Sequence, residues 1–195
     1  MMQKEIRMNP IQIRAAEQTE NNNDLIIEGK AIVFNQKTLL FDDGDDQYFE
    51  MIDSRALDGI DLSNVYLYYN HSDKAVARTK NNTLELTIKQ DGLYFRAKLI
   101  DTTYGSDLYK MVQSKLVDKC SFAFTIAEQD FDSSSNTFTV RKIDKLFEVS
   151  LVDFPAYDET NVSVSARSKL TELEQNRKNQ IYDEKRKKLI LESLL

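Results

Sequence analysis

The chain of 195 residues is 41% hydrophobic and 30% charged, with a net charge of −6. This length and apolar content suffice for one hydrophobic core, so we expect one globular body with at most an extension. The acidic balance argues against direct nucleic-acid binding, because surfaces that bind nucleic acid carry an excess of Lys and Arg.

Cysteine and histidine each occur once, as Cys120 and His71. One cysteine forms no internal disulfide, and one Cys with one His leaves no ligand set for structural zinc, so we expect neither a metal nor a cofactor. The charged N-terminus lacks the apolar segment of a signal peptide, and no run approaches the length of about 18 apolar residues that spans a membrane. We therefore expect an intracellular protein without membrane association.

Residues 11–152 mostly follow the period of two that is typical of half-buried strands. Strands are predicted at residues 24–34, 47–53, 65–69, 83–89, 93–100, 119–128, 136–143 and 145–152. Turn sequences separate several of them, as in antiparallel hairpins. The pattern predicts an α+β fold built on a mainly antiparallel β-barrel, with one or more covering helices.

The acidic segment 41–47, FDDGDDQ, has the composition of a calcium loop. It lacks the closing glutamate and the flanking helices of an EF-hand, so we interpret it as a solvated turn.

A helix is predicted over residues 106–118, where apolar side chains recur at spacings of three and four. Ser106 would be its N-cap. We expect this helix to cover one side or end of the sheet.

The last 28 residues differ from the rest of the chain: residues 168–195 contain no Gly or Pro and carry a net charge of +2. We predict a helical C-terminal extension there, following a domain of residues 1–167. A charged helix on an acidic body is typical of an element that binds a partner or promotes oligomerisation. The alternative is a terminal helix that packs back on the barrel.

The strand at residues 119–128, KCSFAFTIAE, divides its side chains unequally between two faces. Period two sends Cys120, Phe122, Phe124 and Ile126 to one face, and Ser121, Ala123 and Thr125 to the other. The small neighbours leave room for a base and a substrate carbonyl to approach Ser121. Taken alone, the segment favours an ordinary exposed strand face.

A serine hydroxyl becomes a nucleophile when a base accepts its proton. His71 follows the predicted strand 65–69, at a strand end, where a scaffold commonly positions catalytic side chains. A lone histidine is more often an ordinary surface or core residue, so His71 needs support from other residues.

Glu148 lies within the otherwise apolar segment KLFEVSLV. An ionised carboxylate in a strand of this kind requires a dedicated partner. An imidazole N–H is one such partner, because the carboxylate would fix its tautomer. The alternative is an edge-strand glutamate that faces water or pairs with Lys145 or another base.

Six segments, in this order, resemble the prohead (capsid-maturation) serine proteases of tailed phages, which are similar in fold to the herpesvirus capsid protease assemblin. They are EGKAIVFN, the NH of residues 70–71, RTKNNTLEL, DGLYFRAKLIDTTYGSDLYKMVQ, SFAF and LFEVSLVDFPAY. The resemblance covers roughly residues 25–165, and the ordered set is more specific than any single segment.

The resemblance implies that Ser121 is the nucleophile, His71 the general base and Glu148 the residue that orients the histidine. Asp153 is the reserve for the third position. Assemblin-type enzymes use a second histidine there, which this chain lacks. The oxyanion donors carry no side-chain signature, and we place them in a predicted turn at residues 140–144.

The resemblance further implies a serine endopeptidase that cleaves scaffold protein, capsid protein or both, and also itself, during phage head maturation. It would act in the host cytoplasm inside the assembling prohead, as a homo-oligomer. The extension would dock the enzyme to scaffold and be removed by self-cleavage near residues 165–170.

Departures from the family pattern affect the predicted substrate groove. Ala123 and Ala77 stand where family members commonly have glycine, and DSRALDG (53–59) replaces a proline-glycine stretch. A lost glycine restricts how closely a backbone approaches a ligand.

Two alternatives remain at this stage. In the first, Cys120 is the nucleophile of a Cys/His hydrolase. In the second, the chain is a non-catalytic scaffold or assembly-chaperone protein of the prohead.

Overall fold

Eleven strands and one α-helix form the described part of the chain. The computed structural model describes residues 4–9, 13–16, 24–42, 44, 46–72, 74–153 and 171. The strands are β1 (Lys4–Asn9), β2 (Arg14–Ala15), β3 (Leu25–Val33), β4 (Thr38–Asp42), β5 (Gln47–Ile52), β6 (Tyr66–Tyr69), β7 (Ala75–Arg78), β8 (Leu84–Lys89), β9 (Gly92–Leu99), β10 (Lys119–Asp132) and β11 (Thr137–Val152). The helix α1 spans Thr103–Gln113, and a 3-10 turn spans Thr79–Asn81.

The strands form two sheets. The seven-stranded sheet runs β1-β10-β11-β5-β4, with β6 also paired to β11 and β7 paired to β6. The four-stranded sheet runs β2-β3-β9-β8. All these strands lie in Met1–Ala156, the first of two units into which the chain divides.

The hairpin of β10 and β11 is the longest element of the seven-stranded sheet, with strands of 14 and 16 residues. Four register shifts interrupt its ladder between Ala123 and Gln129. Such bulges bend a strand and re-aim its side chains. On its other side β11 pairs in parallel with β5 at one end and with β6 at the other, so the end of β6 lies beside the residues that follow the bulges.

The apolar core includes residues from both sheets and from α1. Strand β9 shows the expected alternation, because Leu93, Phe95, Ala97 and Leu99 are buried and the residues between them are more exposed. They join a cluster that contains Leu67, Phe124, Val149 and Leu108. Strands β6, β10 and β11 each contribute residues to this cluster, so the core fixes their positions relative to one another.

The predicted α+β fold is confirmed, but its closure into a barrel is not. Among the described residues, the pairings form two sheets with edge strands rather than a ring. Strand pairing is mainly antiparallel, as predicted. The exceptions are the parallel pairs of β11 with β5 and with β6, because alternation of side chains does not show in which direction a neighbouring strand runs. The domain boundary at 167/168 and the extension 168–195 lie outside the described residues, except for Thr171, and stay predictions.

The helix begins and ends earlier than predicted. It begins at Thr103 because Thr102, not Ser106, is the N-cap, accepting a hydrogen bond from Gly105 N over 3.1 Å. It ends at Gln113, and Lys115 then has a positive φ of 62°. The predicted continuation of the helix to residue 118 was therefore wrong. The apolar spacing continues beyond Gln113, but the left-handed backbone at Lys115 is incompatible with a helix.

Two strand boundaries were also wrong. The predicted strands 136–143 and 145–152 belong, apart from Asn136, to the single strand β11, because bulges absorb the breaks in alternation at Asp144 and Phe147. Strands β1, β2, β4 and β7 were not predicted. They are short strands, and β4 and β7 lie at the ends of pairing paths, where burial imposes little alternation.

Candidate active site

Ser121 lies on β10 between two neighbouring strands. Its partners in the register are Met8 on β1 and Ser150 on β11. Ser121, Ala123 and Thr125 are all buried, with exposures of 1%, 0% and 5%. The favoured interpretation of this segment as an exposed strand face was therefore wrong, because β10 is an interior strand.

The end of β6 positions His71. Strand β6 pairs in parallel with β11 over Glu148–Leu151, and Asn70 and His71 then take positive φ values of 50° and 52°. Two bonds to the end of β11 hold this turn: Asn70 N donates to Leu151 O over 2.9 Å, and Asp153 N donates to the Asn70 side chain over 3.4 Å. Asparagine tolerates the left-handed conformation better than most residues, so the sequence suits the turn that returns the imidazole over the sheet.

Glu148 follows the bulge at Phe147 and faces the same side of the sheet as its partner Ala123. The structure brings it together with the two other predicted residues. His71 Nδ1 lies 2.6 Å from Glu148 Oε1, and His71 Nε2 lies 2.9 Å from Ser121 Oγ. The side chains of His71 and Glu148 are 21% and 11% exposed. A hydrogen-bonded chain of hydroxyl, imidazole and carboxylate therefore runs across β10, the β6 turn and β11.

A fourth residue, Lys4, contacts the same carboxylate. Lys4 Nζ lies 3.1 Å from Glu148 Oε2. Burial acts to raise the pKa of Glu148, but the hydrogen bonds from His71 and Lys4 outweigh it and hold the pKa below that of an ordinary glutamate. The carboxylate is therefore ionised at neutral pH. Of the alternative partners predicted for Glu148, another base, Lys4, does pair with it, whereas Lys145 lies over the Phe147 ring.

The hydroxyl of Ser121 has two acceptors. Besides His71 Nε2, it lies 2.9 Å from the main-chain oxygen of Arg7 on β1. The single hydroxyl proton bonds to one acceptor at a time. When the imidazole is neutral with its proton on Nδ1, the hydroxyl donates to Nε2; when the imidazole is doubly protonated, Nε2–H donates to Oγ and the hydroxyl donates to Arg7 O.

Asp153, the reserve for the third position, bonds elsewhere. The Tyr69 hydroxyl donates to Asp153 Oδ2 over 2.8 Å. Burial, and then this bond to Asp153, raises the pKa of Tyr69 to about 12, so the phenol stays protonated. The geometry thus favours Glu148 over Asp153 as the partner of His71.

Cys120 is fully buried on the opposite face of β10. Its burial raises the pKa of the thiol well above the ordinary value. A thiol acts as a nucleophile in its thiolate form, so this environment disfavours the Cys/His alternative.

The oxyanion turn predicted at residues 140–144 was wrong, because these residues lie inside β11. Another residue without an assigned role lies beside Ser121. Ser150 is 0% exposed, and its Oγ has no hydrogen-bond partner among the described residues.

The sequence reasoning missed Lys4, the Arg7 carbonyl and Ser150. No pattern signalled the first two, since β1 contacts the site only through long-range pairing. For Ser150, the available signal was its spacing of two residues from Glu148, which puts both on one face of a strand.

Neither a metal centre nor a membrane span is evident in the part of the chain that the structure describes. Its His, Cys, Asp and Glu residues form no group of three that could hold a metal ion. In the acidic loop, Asp42 accepts hydrogen bonds from Gly44 N and Gln47, as in a turn. Within the described residues, no helix is long and apolar enough to cross a membrane.

Two comparisons with known proteins found similar sequences or structures. The sequence model of a family described as the Caudovirus prohead serine protease matches residues 9–175. Among solved structures, the capsid assembly protease gp21 of bacteriophage T4 is similar over 77% of this chain and 97% of that chain, with 14% identity and a TM-score of 0.49. No curated protein matches this chain.

Proposed function

This chain belongs to the family of caudovirus prohead serine proteases, and we propose that it is an endopeptidase that cleaves peptide bonds with Ser121, His71 and Glu148. The observation that carries the proposal is the unbroken chain of two short hydrogen bonds, Ser121 Oγ to His71 Nε2 and His71 Nδ1 to Glu148 Oε1, at 2.9 Å and 2.6 Å. A nucleophile within reach of a base that a third group orients is the arrangement that acyl transfer requires.

In the acylation step, Ser121 Oγ attacks the carbonyl carbon of the scissile peptide. Its proton moves to His71 Nε2, while the Nδ1–H bond to the ionised Glu148 stabilises the imidazolium that forms. The tetrahedral intermediate collapses when the C–N bond breaks. The imidazolium returns the proton to the departing amine, which leaves an ester between Ser121 and the N-terminal part of the substrate.

In the deacylation step, a water molecule takes the place of the released amine. His71 Nε2 accepts one proton of this water as its oxygen attacks the ester carbonyl. When the intermediate collapses, the proton returns to Ser121 Oγ and the product leaves as a carboxylic acid. The base and the nucleophile are then restored.

We propose that the substrates are scaffold protein, capsid protein or both, cleaved inside the assembling prohead in the host cell, where the chain acts as a homo-oligomer. The family supports the substrates and the prohead as the place of cleavage; the homo-oligomer is a proposal. Residues 168–195 would extend the domain of residues 1–167 as a helical docking element, and self-cleavage near residues 165–170 would release it. Ser121 is 1% exposed, which suits an enzyme whose site stays closed before assembly.

The test is a time course of the purified chain with its capsid and scaffold proteins, read by mass spectrometry. We expect wild type to cleave them and to shorten itself, Ser121→Ala to leave every protein intact, and Ser63→Ala, a change of an exposed serine, to behave as wild type. The non-catalytic alternative predicts full-length proteins with all three chains. Cleavage that persists in Ser121→Ala would contradict the assignment of the nucleophile.

A further inference from the structure

The hydroxyl of Ser150 is a buried polar group without a described partner. The residue is 0% exposed and no donor or acceptor among the described residues bonds to Oγ. Buried hydroxyl groups in proteins are almost always hydrogen-bonded, since an unpaired one keeps its full cost of desolvation. An unpaired hydroxyl in such a place is expected to find its partner in another state of the protein.

Ser150 lies directly opposite Ser121 in the antiparallel pair of β10 and β11. Opposite residues point to the same face, with Cβ atoms about 4.5–5.5 Å apart. Around Ser121 Oγ, two directions are taken by His71 Nε2 and the Arg7 carbonyl, each at 2.9 Å. Ser150 therefore borders the nucleophile from β11, whereas the Arg7 carbonyl approaches from β1.

Nearby groups do not satisfy this hydroxyl in the resting structure. Glu148 is two residues away on the same strand face, but its two carboxylate oxygens accept from His71 and Lys4. The hydroxyl thus stands beside the nucleophile with a proton to donate.

We propose that Ser150 is a catalytic residue whose hydroxyl donates a hydrogen bond to the oxygen of the scissile carbonyl. This inference rests on the proposed function of Ser121. When Ser121 Oγ attacks, the carbonyl oxygen gains negative charge one bond from the attacked carbon, so it lies close to Oγ and within reach of an opposite side chain. A donor placed at about 2.7–3.1 Å from that oxygen stabilises the intermediate. No bond between protein groups has to be broken to supply it.

Both hydroxyls are closed to solvent in this structure, at 1% and 0% exposure for Ser121 and Ser150. A substrate carbonyl therefore reaches them only after the residues that cover them move. In the closed state the donor stays unpaired and the nucleophile stays shielded, and substrate entry supplies the missing acceptor.

The experiment compares wild type with Ser150→Ala on a peptide that spans the site cleaved by wild type. We expect kcat to fall on the order of a hundredfold, as for removal of one oxyanion donor, with KM near wild type. The inhibition constant of the matching peptide aldehyde should rise by a similar factor, because its adduct with Ser121 carries the same oxygen. The midpoint of thermal unfolding should stay unchanged or increase, because the variant removes an unpaired buried polar group.

Thr139→Val is the matched control, since Thr139 is another buried hydroxyl residue of β11 but lies far along the strand from Ser121. It should leave kcat and aldehyde inhibition unchanged. Ser150→Cys, which keeps a weak donor of similar size, should give a kcat between those of wild type and Ser150→Ala, and it serves as the test if the alanine variant does not fold.

The outcomes separate the two proposals. Wild-type activity that depends on Ser121 establishes the proposed function independently of Ser150. Given that activity, an unchanged kcat in Ser150→Ala or Ser150→Cys overturns the inference, and so does a lowered unfolding midpoint in Ser150→Ala with unchanged aldehyde inhibition, which indicates a structural hydroxyl. Absence of any Ser121-dependent cleavage by wild type instead overturns the proposed function.

Discussion

Lys4 and Glu148 form an ion pair across 144 residues of sequence, and Lys4 Nζ binds the carboxylate oxygen that His71 does not use. The side chain of Lys4 is 47% exposed, whereas that of Glu148 is 11% exposed. Lys4 thus bonds to Glu148 on the side away from His71, and it places a positive charge near the imidazole.

Replacing that charge should alter the pH dependence of activity. In Lys4→Met, the pKa of Glu148 rises because the carboxylate loses a hydrogen bond and a nearby cation. The pH at which kcat/KM falls on the acid side should therefore increase. Because Lys4 is about half exposed, the pair should contribute close to the value of a surface ion pair, about 0–1 kcal/mol. The plateau value of kcat/KM should therefore fall by less than about tenfold. Lys145→Met is the control, because Lys145 lies over the same Phe147 ring as Lys4; an equal displacement of the profile in both variants would contradict a specific role for Lys4.

Replacing the carboxylate should reduce the chemical step much more. In Glu148→Gln the amide no longer stabilises the imidazolium and no longer fixes its tautomer, so kcat should fall by about 10³–10⁴-fold. Asp153→Asn should retain nearly full kcat, because Asp153 bonds to Tyr69. A larger loss in Asp153→Asn than in Glu148→Gln would reverse the assignment of the acid. Steady-state kinetics on one peptide decides between the two.

The same carboxylate should contribute to stability against acid. The pKa of Glu148 in the folded protein lies below its ordinary value, which is about 4.3 in an unfolded chain. Its stabilising contribution is therefore complete above that value and is lost as the pH falls through the folded pKa. The excess free energy of unfolding of wild type over Glu148→Gln should be largest near neutral pH and should decrease on acidification. Glu85→Gln, at an exposed position, should show a smaller change, and urea unfolding at several pH values measures both.

Cys120 should be dispensable for catalysis. Its thiol is buried and its pKa is raised by that burial, so iodoacetamide should label it slowly in the folded protein and rapidly in urea. Cys120→Ala should cleave substrate at a rate near that of wild type. Rapid labelling that abolishes activity of the native protein is the result that would revive the cysteine hypothesis.

Arg7 should matter mainly for stability. Its guanidinium lies 3.0 Å from Glu5 Oε2 and 2.5 Å from Glu50 Oε2, and all three side chains are less than 10% exposed. Arg7→Met leaves two buried carboxylates without this cation, so we expect a loss of about 3–5 kcal/mol in the free energy of unfolding. Arg141→Met also removes an arginine that pairs with two carboxylates, Asp53 and Asp130, but at 44% exposure. The loss of unfolding free energy in Arg141→Met should be much smaller than in Arg7→Met in the same denaturant titration, because solvent screens an exposed ion pair.

Local alternation and family resemblance predicted much of this arrangement. The strands around residues 93–100 and 119–128 were correctly predicted because one face of each is apolar. Ser121, His71 and Glu148 were singled out by their chemistry within strands or at a strand end, and the structure places them in one hydrogen-bonded chain. Their catalytic roles stay predictions until the variants are measured.

The pairing of strands that are distant in sequence could not be predicted from alternation or from the resemblance. The position of Lys4 beside Glu148 depends on β1 pairing with β10 and β10 with β11, and a local period contains no information about which strands become neighbours. The bulges that merged two predicted strands into β11 are likewise fixed by the partner strand. The parallel pairing of β6 with β11, which brings His71 to Glu148, has the same origin.

Strand β1 is made first by the ribosome, whereas the partners that complete the centre, β10 and β11, are made last among the described strands. A growing polypeptide therefore lacks the assembled centre until residue 148 has emerged and both ends of the fold have met. Contacts between such distant segments form slowly. Synthesis therefore completes this centre late, after every other described strand has been made.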